Sequence, residues 1–271
     1  MKTLRRVAIG ALLVVLIGYL GIVGALYTFQ RRLIYPGWYF GVHDVQADQS
    51  GYRDIAFTTD DGLRGHLAWH PPQPGKPVIL FFHGNGDAIS GGQVTLEPLI
   101  AAGYGAVIPE YRGYNGNPGF PTEAGLYSDA RAAIRWMTSN GIGGDRTIVM
   151  GYSLGTGIAT EGALAIRPKA MILMAGYASI PRVVGARFWW LPAKRLVSER
   201  FDSAAKIGRI TCPILLLHGA IDRTIPVENS RILAAAQPRA TVAIFPGVGH
   251  EIAWNPGAQA RTARWLKEQG L

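Results

Sequence analysis

Ser153 sits in Gly151-Tyr152-Ser153-Leu154-Gly155, directly after the apolar run Ile148-Val149-Met150. A G-x-S-x-G sequence between a strand and a helix turns the chain so sharply that the serine stands at the apex. Such a backbone is strained, and small residues on either side let strand and helix approach. Gly151 and Gly155 supply them, and Gly155-Thr156-Gly157-Ile158-Ala159 continues as a helix with small faces. The same letters also occur in ordinary loop turns. Here strand, turn and helix follow in the required order. A serine hydroxyl is a poor nucleophile until a base takes its proton and a third group orients that base.

Six histidines compete for the role of base. His43 falls in a linker, and His66 and His70 in an early hairpin. His83 and His218 each end a strand before a glycine, where bracing a loop is the simpler role. His250 follows Pro246-Gly247-Val248-Gly249 in a loop at the carboxyl end of the last strand. Ligands bind at that edge of a parallel sheet, so His250 is assigned as the base. The orienting acid belongs between serine and histidine in the chain. Asp222, just beyond the strand that ends at residue 217, is assigned; Glu199 and Asp202 fall in an insertion, and Glu228 and Glu251 are set aside. A tetrahedral intermediate also requires two N–H donors. The backbone N–H of Leu154 is one, and Asn85, in His83-Gly84-Asn85-Gly86-Asp87, is assigned as the other.

These residues need a sheet that delivers them to one edge. Alternation at Ile55, Phe57 and Thr59, the turn Asp60-Asp61-Gly62 and a returning strand over 63–69 predict an opening hairpin. Residues 78–82 are a continuous apolar run, as expected of a strand buried on both faces, and 106–108, 147–150, 170–174, 213–217 and 241–245 read as further strands, the fully apolar ones in the middle of the sheet. Helices are predicted over 95–102, over 122–137 and around Ala260, Ala263 and Leu266. Strands alternating with helices define an α/β class with a mostly parallel sheet and helices on both faces. There is no internal repeat and no low-complexity tract.

The 271 residues suit one catalytic domain plus an appendage, divided here into a cytoplasmic tail (1–6), a membrane anchor (7–29), a linker (30–50) and a domain (51–271) with a short cap over 177–210. Residues 7–29 carry no charge and as a helix span roughly 34 Å, enough for a hydrocarbon core of about 30 Å. Lys2, Arg5 and Arg6 precede the run and outweigh Arg31 and Arg32, which puts the N-terminus in the cytoplasm and the domain outside. The rival is a signal peptide cleaved after Val23-Gly24-Ala25, but the run exceeds the usual length of one. The net charge of +9 favours anionic surfaces, yet the basic residues are scattered and form no nucleic-acid motif. The charge is assigned to solubility and membrane proximity. Cys212 is the only cysteine, which rules out an internal disulfide.

The combination of an N-terminal anchor, Arg31-Arg32-Leu33-Ile34-Tyr35-Pro36, His83-Gly84-Asn85-Gly86, Tyr111-Arg112-Gly113-Tyr114, Gly151-Tyr152-Ser153-Leu154-Gly155 and the Asp222 and His250 loops resembles the α/β-hydrolases, and among them the Bem46-like membrane-anchored serine hydrolases. The resemblance covers nearly the whole chain. It implies the α/β-hydrolase fold, a triad of Ser153, Asp222 and His250, and hydrolysis of an acyl ester or thioester carried by a lipid or an acylated protein. No metal or organic cofactor is implied. The sequence departs from the family where Asn85 is followed by Gly86-Asp87-Ala88 rather than an Asn-Ala-Gly-Asn-like continuation. Phe188, Trp189 and Trp190 in the insertion are candidates for an acyl site, against ordinary packing of a short helix or membrane contact. The competing class is a catalytically silent binding or scaffold protein on the same fold. Dehalogenases and epoxide hydrolases are disfavoured, since they carry aspartate where this chain has Ser153.

Overall fold

The computed structural model describes residues 2–41 and 49–271. Helix α1 (Lys2–Ile34) leads into the one-turn helix α2 (Pro36–Phe40). Strands β1 (Arg53–Thr58) and β2 (Arg64–His70) then form the antiparallel hairpin, closed by Gly62 at φ 80°. Next come β3 (Val78–Phe82), α3 (Ile89–Ala101), β4 (Gly105–Pro109), α4 (Glu123–Ser139), β5 (Thr147–Tyr152), α5 (Leu154–Ile166) and β6 (Ala170–Met174) in strict alternation. Three short helices form the cap region: α6 (Ile180–Arg187), α7 (Ala193–Leu196) and α8 (Ser203–Ile207). The chain ends with β7 (Ile214–Gly219), α9 (Glu228–Ala236), β8 (Thr241–Phe245) and α10 (Pro256–Glu268).

The eight strands pair in the order β1-β2-β4-β3-β5-β6-β7-β8, and every pairing from β4 onward is parallel. From β3 the chain first steps outward to β4, then returns past β3 to β5. The direction of winding therefore reverses between β3 and β5. At such a point the loops beyond the carboxyl ends of the strands diverge and leave a crevice. The loop after β3 and the apex at Ser153 flank it.

The apolar runs are divided between two cores by the period of two along a strand. Val78, Leu80 and Phe82 face a core shared with α4, α5, α8 and α9, whereas Ile79 and Phe81 face one shared with α3 and α10. Helix α3 starts at Ile89, six residues before the predicted start. Its first turn contains Gly91 and Gly92, which are weak helix formers. They are accepted because a Cβ on Gly92 would lie 3.0 Å from both Ile108 and Phe81, so the helix rides close to the sheet.

Ser153 has φ 50° and ψ −119°, a region that costs a non-glycine residue roughly 1–3 kcal/mol. The turn is over-determined by packing. A Cβ on Gly151 would lie 2.6 Å from the Gly155 carbonyl oxygen, and one on Gly155 would overlap the Phe82 carbonyl oxygen. Gly155→Ala is expected to cost at least about 3 kcal/mol, because backbone cannot yield as a side-chain tip does. Thermal denaturation should register a loss of more than about 6 °C. Gly86→Ala, built into open space, should stay within about 2 °C of the parent.

Candidate active site

Three strands end at the site. β5 delivers Ser153, the turn after β7 delivers Asp222, and the loop after β8 delivers His250. Ser153 Oγ lies 2.9 Å from His250 Nε2, and His250 Nδ1 lies 2.7 Å from Asp222 Oδ2. The backbone N–H groups of Thr224 and Ile225 both donate to Asp222 Oδ1 at 2.8 Å. Burial pushes the Asp222 carboxyl up. The hydrogen bonds from His218 and His250 and from the Ile225 N–H outweigh it and hold the group well below the usual carboxylate range. A carboxylate fixed at both oxygens can orient an imidazole and stabilise its charged form.

Tyr152, beside the serine, donates its hydroxyl to the His250 carbonyl oxygen at 2.9 Å. Sequence reasoning treated it only as the second letter of the motif. Its hydrogen bond ties the His250 loop to the strand that carries Ser153. Tyr152→Phe should lower kcat about fivefold with little change in KM, the equivalent of one neutral hydrogen bond. Steady-state kinetics on a soluble ester would check this.

Asn85 and Leu154 line the same cavity as Ser153. The Asn85 side chain is turned elsewhere: its amide donates to the Ile34 carbonyl at the end of α1 and accepts from the Tyr114 hydroxyl. Any donation by Asn85 to an oxyanion therefore falls to its backbone N–H. The loop is held from below by His83, fully buried, with Nδ1 2.9 Å from the Gly84 carbonyl and Nε2 2.9 Å from Glu110 Oε1. Glu110 also accepts from the Ile89 and Tyr111 N–H groups. It went unnoticed in the sequence, where an acid after the apolar stretch at 106–108 looks like the start of a surface loop. His218 is likewise buried, 2.7 Å from the Ser230 hydroxyl. His43 lies outside the described residues.

The candidate acyl-site residues separate. Phe188 lines the cavity above Ser153, together with Ile180, Val183 and Leu191. Trp189 is 82% exposed. Trp190 packs edge-on against Tyr19 of α1, with ring centroids 6.2 Å apart. Glu199, set aside as a catalytic acid, is 3% exposed and serves as a hub. It accepts from the Tyr35 hydroxyl at 3.0 Å, from Arg31 Nε at 3.1 Å and from the Glu123 N–H at the start of α4. One buried carboxylate thus joins the end of α1, the cap and the catalytic sheet's flanking helix.

A mostly parallel eight-stranded sheet with a serine at a strand-to-helix apex, beside histidine and aspartate loops, defines the α/β-hydrolase architecture. The sequence model described as the alpha/beta hydrolase family matches residues 79–206. An uncharacterised protein of Mycobacterium tuberculosis is 33% identical over 236 residues, 85% of this chain and 83% of that protein. The chain belongs to the α/β-hydrolase family. The lysophosphatidylserine lipase ABHD12 of Danio rerio is 30% identical over 181 residues, 59% of this chain and 47% of that lipase. Two solved structures share the fold at low identity. An esterase of Pyrococcus furiosus superposes with TM-score 0.65 at 18% identity, over 84% of this chain and 97% of the esterase. A membrane phospholipase A superposes with TM-score 0.62 at 17% identity, over 96% of this chain and 99% of the phospholipase, a coverage that extends into α1. The family places the chain among hydrolases, and the solved structures share its fold. α1, with a mean hydropathy of 2.6 over its most apolar window, is a candidate membrane span.

Proposed function

We propose that this chain is a membrane-anchored serine hydrolase that cleaves carboxylic ester or thioester bonds of acyl substrates. The observation that carries the reading is the hydrogen-bonded series from Ser153 through His250 to Asp222, opening into an apolar cavity. Ser153 Oγ attacks the acyl carbonyl while His250 Nε2 takes its proton. Asp222 keeps the proton of neutral His250 on Nδ1, which leaves Nε2 free to accept. The N–H groups of Leu154 and Asn85 hold the oxyanion, each worth about 10²–10³ in rate. His250 then protonates the departing alcohol or thiol, and water, activated by the same imidazole, releases the acid and restores Ser153. The apolar lining favours acyl chains over charged acids. The name of the lysophosphatidylserine lipase relative is in keeping with a lipid ester, and an acyl-protein thioester uses the same steps.

A fluorophosphonate probe with a panel of acyl esters tests this reading. Stoichiometric labelling at Ser153, together with ester turnover, is the expected result. A folded protein that neither reacts with the probe nor hydrolyses any ester would instead be the silent scaffold.

The anchor is part of the proposal. The uncharged run over 7–29 stays uncleaved, its basic flank is cytoplasmic, and the domain lies on the non-cytoplasmic side. Mass spectrometry should find the N-terminus intact, and protease added outside sealed cells should digest the domain. A new N-terminus near Leu26, or a protected domain, would contradict one half each.

A further inference from the structure

Every residue of helix α1 from 2 to 22 is exposed, with Tyr19 packed against Trp190 of the cap. Beyond that point Val23, Leu26, Gln30 and Ile34 are part-buried, while their neighbours from Gly24 to Leu33 are exposed. The spacing i, i+3, i+7, i+11 is one helix face. That face, with Tyr27 and Leu33 beside it, lines a cavity of about 290 Å³ that is also lined by Ser153, Leu154 and the cap. The membrane helix is thus part of the pocket that holds the candidate nucleophile.

Its seat is fixed at the carboxyl end. Gln30 Oε1 accepts from the Ser198 N–H at 2.8 Å and from its hydroxyl at 3.1 Å, Glu199 holds Arg31 and Tyr35, and Asn85 holds the Ile34 carbonyl. Further up, Val23 and Leu26 offer the cavity only hydrocarbon. Tyr19 still touches the cap, its hydroxyl donating to the Trp190 carbonyl at 3.2 Å. From Ile34 to Tyr19 the helix rises roughly 22 Å. The cap tip, with exposed Trp189, therefore reaches alongside the apolar run that would lie in the bilayer. A chain bound between Val23 and Ser153 runs along the anchor rather than out into water.

We propose that α1 is a specificity element of the acyl site: Val23 and Leu26 contact the acyl chain of a lipid-borne ester that enters sideways from the leaflet, and they set the chain length accepted. The inference rests on Ser153 being the acyl-transfer nucleophile. Burial of each methylene favours binding, so a long chain gains from this wall and a short one does not reach it. The substrate class is an amphiphile whose ester lies at the leaflet surface while its chain remains in hydrocarbon.

The test uses the full chain in lipid nanodiscs, with p-nitrophenyl butyrate and dodecanoate as substrates. Leu26→Trp and Val23→Trp, which fill the upper cavity, should each lower the dodecanoate-to-butyrate ratio of kcat/KM by about tenfold or more, equal to losing burial of two methylenes. Val14→Trp, on the exposed part of the same helix, should leave that ratio within about twofold. In parallel, an alkyl fluorophosphonate with a diazirine at the far end of a dodecyl chain is attached to the wild-type protein and irradiated. Cross-links to peptides covering residues 23–34 are expected. An unchanged ratio in both filled variants, with fluorophosphonate labelling still at the wild-type rate, would overturn the proposal alone, as would cross-links confined to the cap and catalytic domain. Wild-type protein inert to probe and esters would overturn the serine-hydrolase reading and this proposal with it.

Discussion

Ser153→Ala is expected to lower kcat for an activated ester by about 10⁶-fold while leaving the protein folded. In the proposed mechanism this hydroxyl forms the covalent intermediate. Its loss removes the attack step, and the remaining donors supply only electrostatic help. The strained φ of 50° is set by the overlap-limited approach of Gly151 and Gly155, not by the serine side chain, and alanine meets the same strain. Thermal melting should therefore move by no more than about 3 °C. Circular dichroism and turnover measured on one preparation separate loss of chemistry from loss of fold.

Removing the proposed base should be comparably severe. His250→Ala leaves Ser153 with no proton acceptor at 2.9 Å, and the cost should approach that of losing the serine, since the two act as a unit. Asp222→Asn should cost about 10⁴-fold. Its amide would keep one acceptor oxygen for the Thr224 and Ile225 N–H groups and turn an NH₂ toward His250 Nδ1. That stabilises the tautomer whose Nε2 carries the proton and cannot accept another. The same carboxylate also sets a pH dependence of stability. Its folded pKa is depressed, so its contribution is fully present above the ordinary carboxylate range and is lost as pH falls through that range and below. Asp222→Asn should flatten the acid side of the stability profile, which chemical denaturation at stepped pH would reveal.

The sheet was legible because fully buried strands announce themselves. Residues 78–82 and 170–174 are apolar at every position and match β3 and β6 at both ends. Helix α3 was half hidden, since its first turn is built from glycines selected for close approach and not for propensity. Ser153, Asp222 and His250 could be named from their positions after apolar runs, and those positions are what brings the three side chains within hydrogen-bonding distance. What the letters did not carry is contact between distant segments. Glu199 stood in the sequence only as an acid of the insertion, and the return of the cap over α1 puts it beside Tyr35 and Arg31. The cavity wall at Val23 and Leu26 was equally hidden, because a helix apolar on every side gives no sign of which face meets protein. Trp189 and Trp190 drew notice as a large apolar pair, yet the turn after α6 sends only Phe188 of the three into the cavity.

The most direct test of the mechanism is rapid-quench mass spectrometry of the full chain mixed with excess p-nitrophenyl dodecanoate. The expected result is a transient mass gain of one acyl group, mapped by fragmentation to Ser153, that forms and decays at rates matching turnover and is absent from Ser153→Ala. Sustained turnover with no acyl group on Ser153, or with the group on another residue, would contradict it.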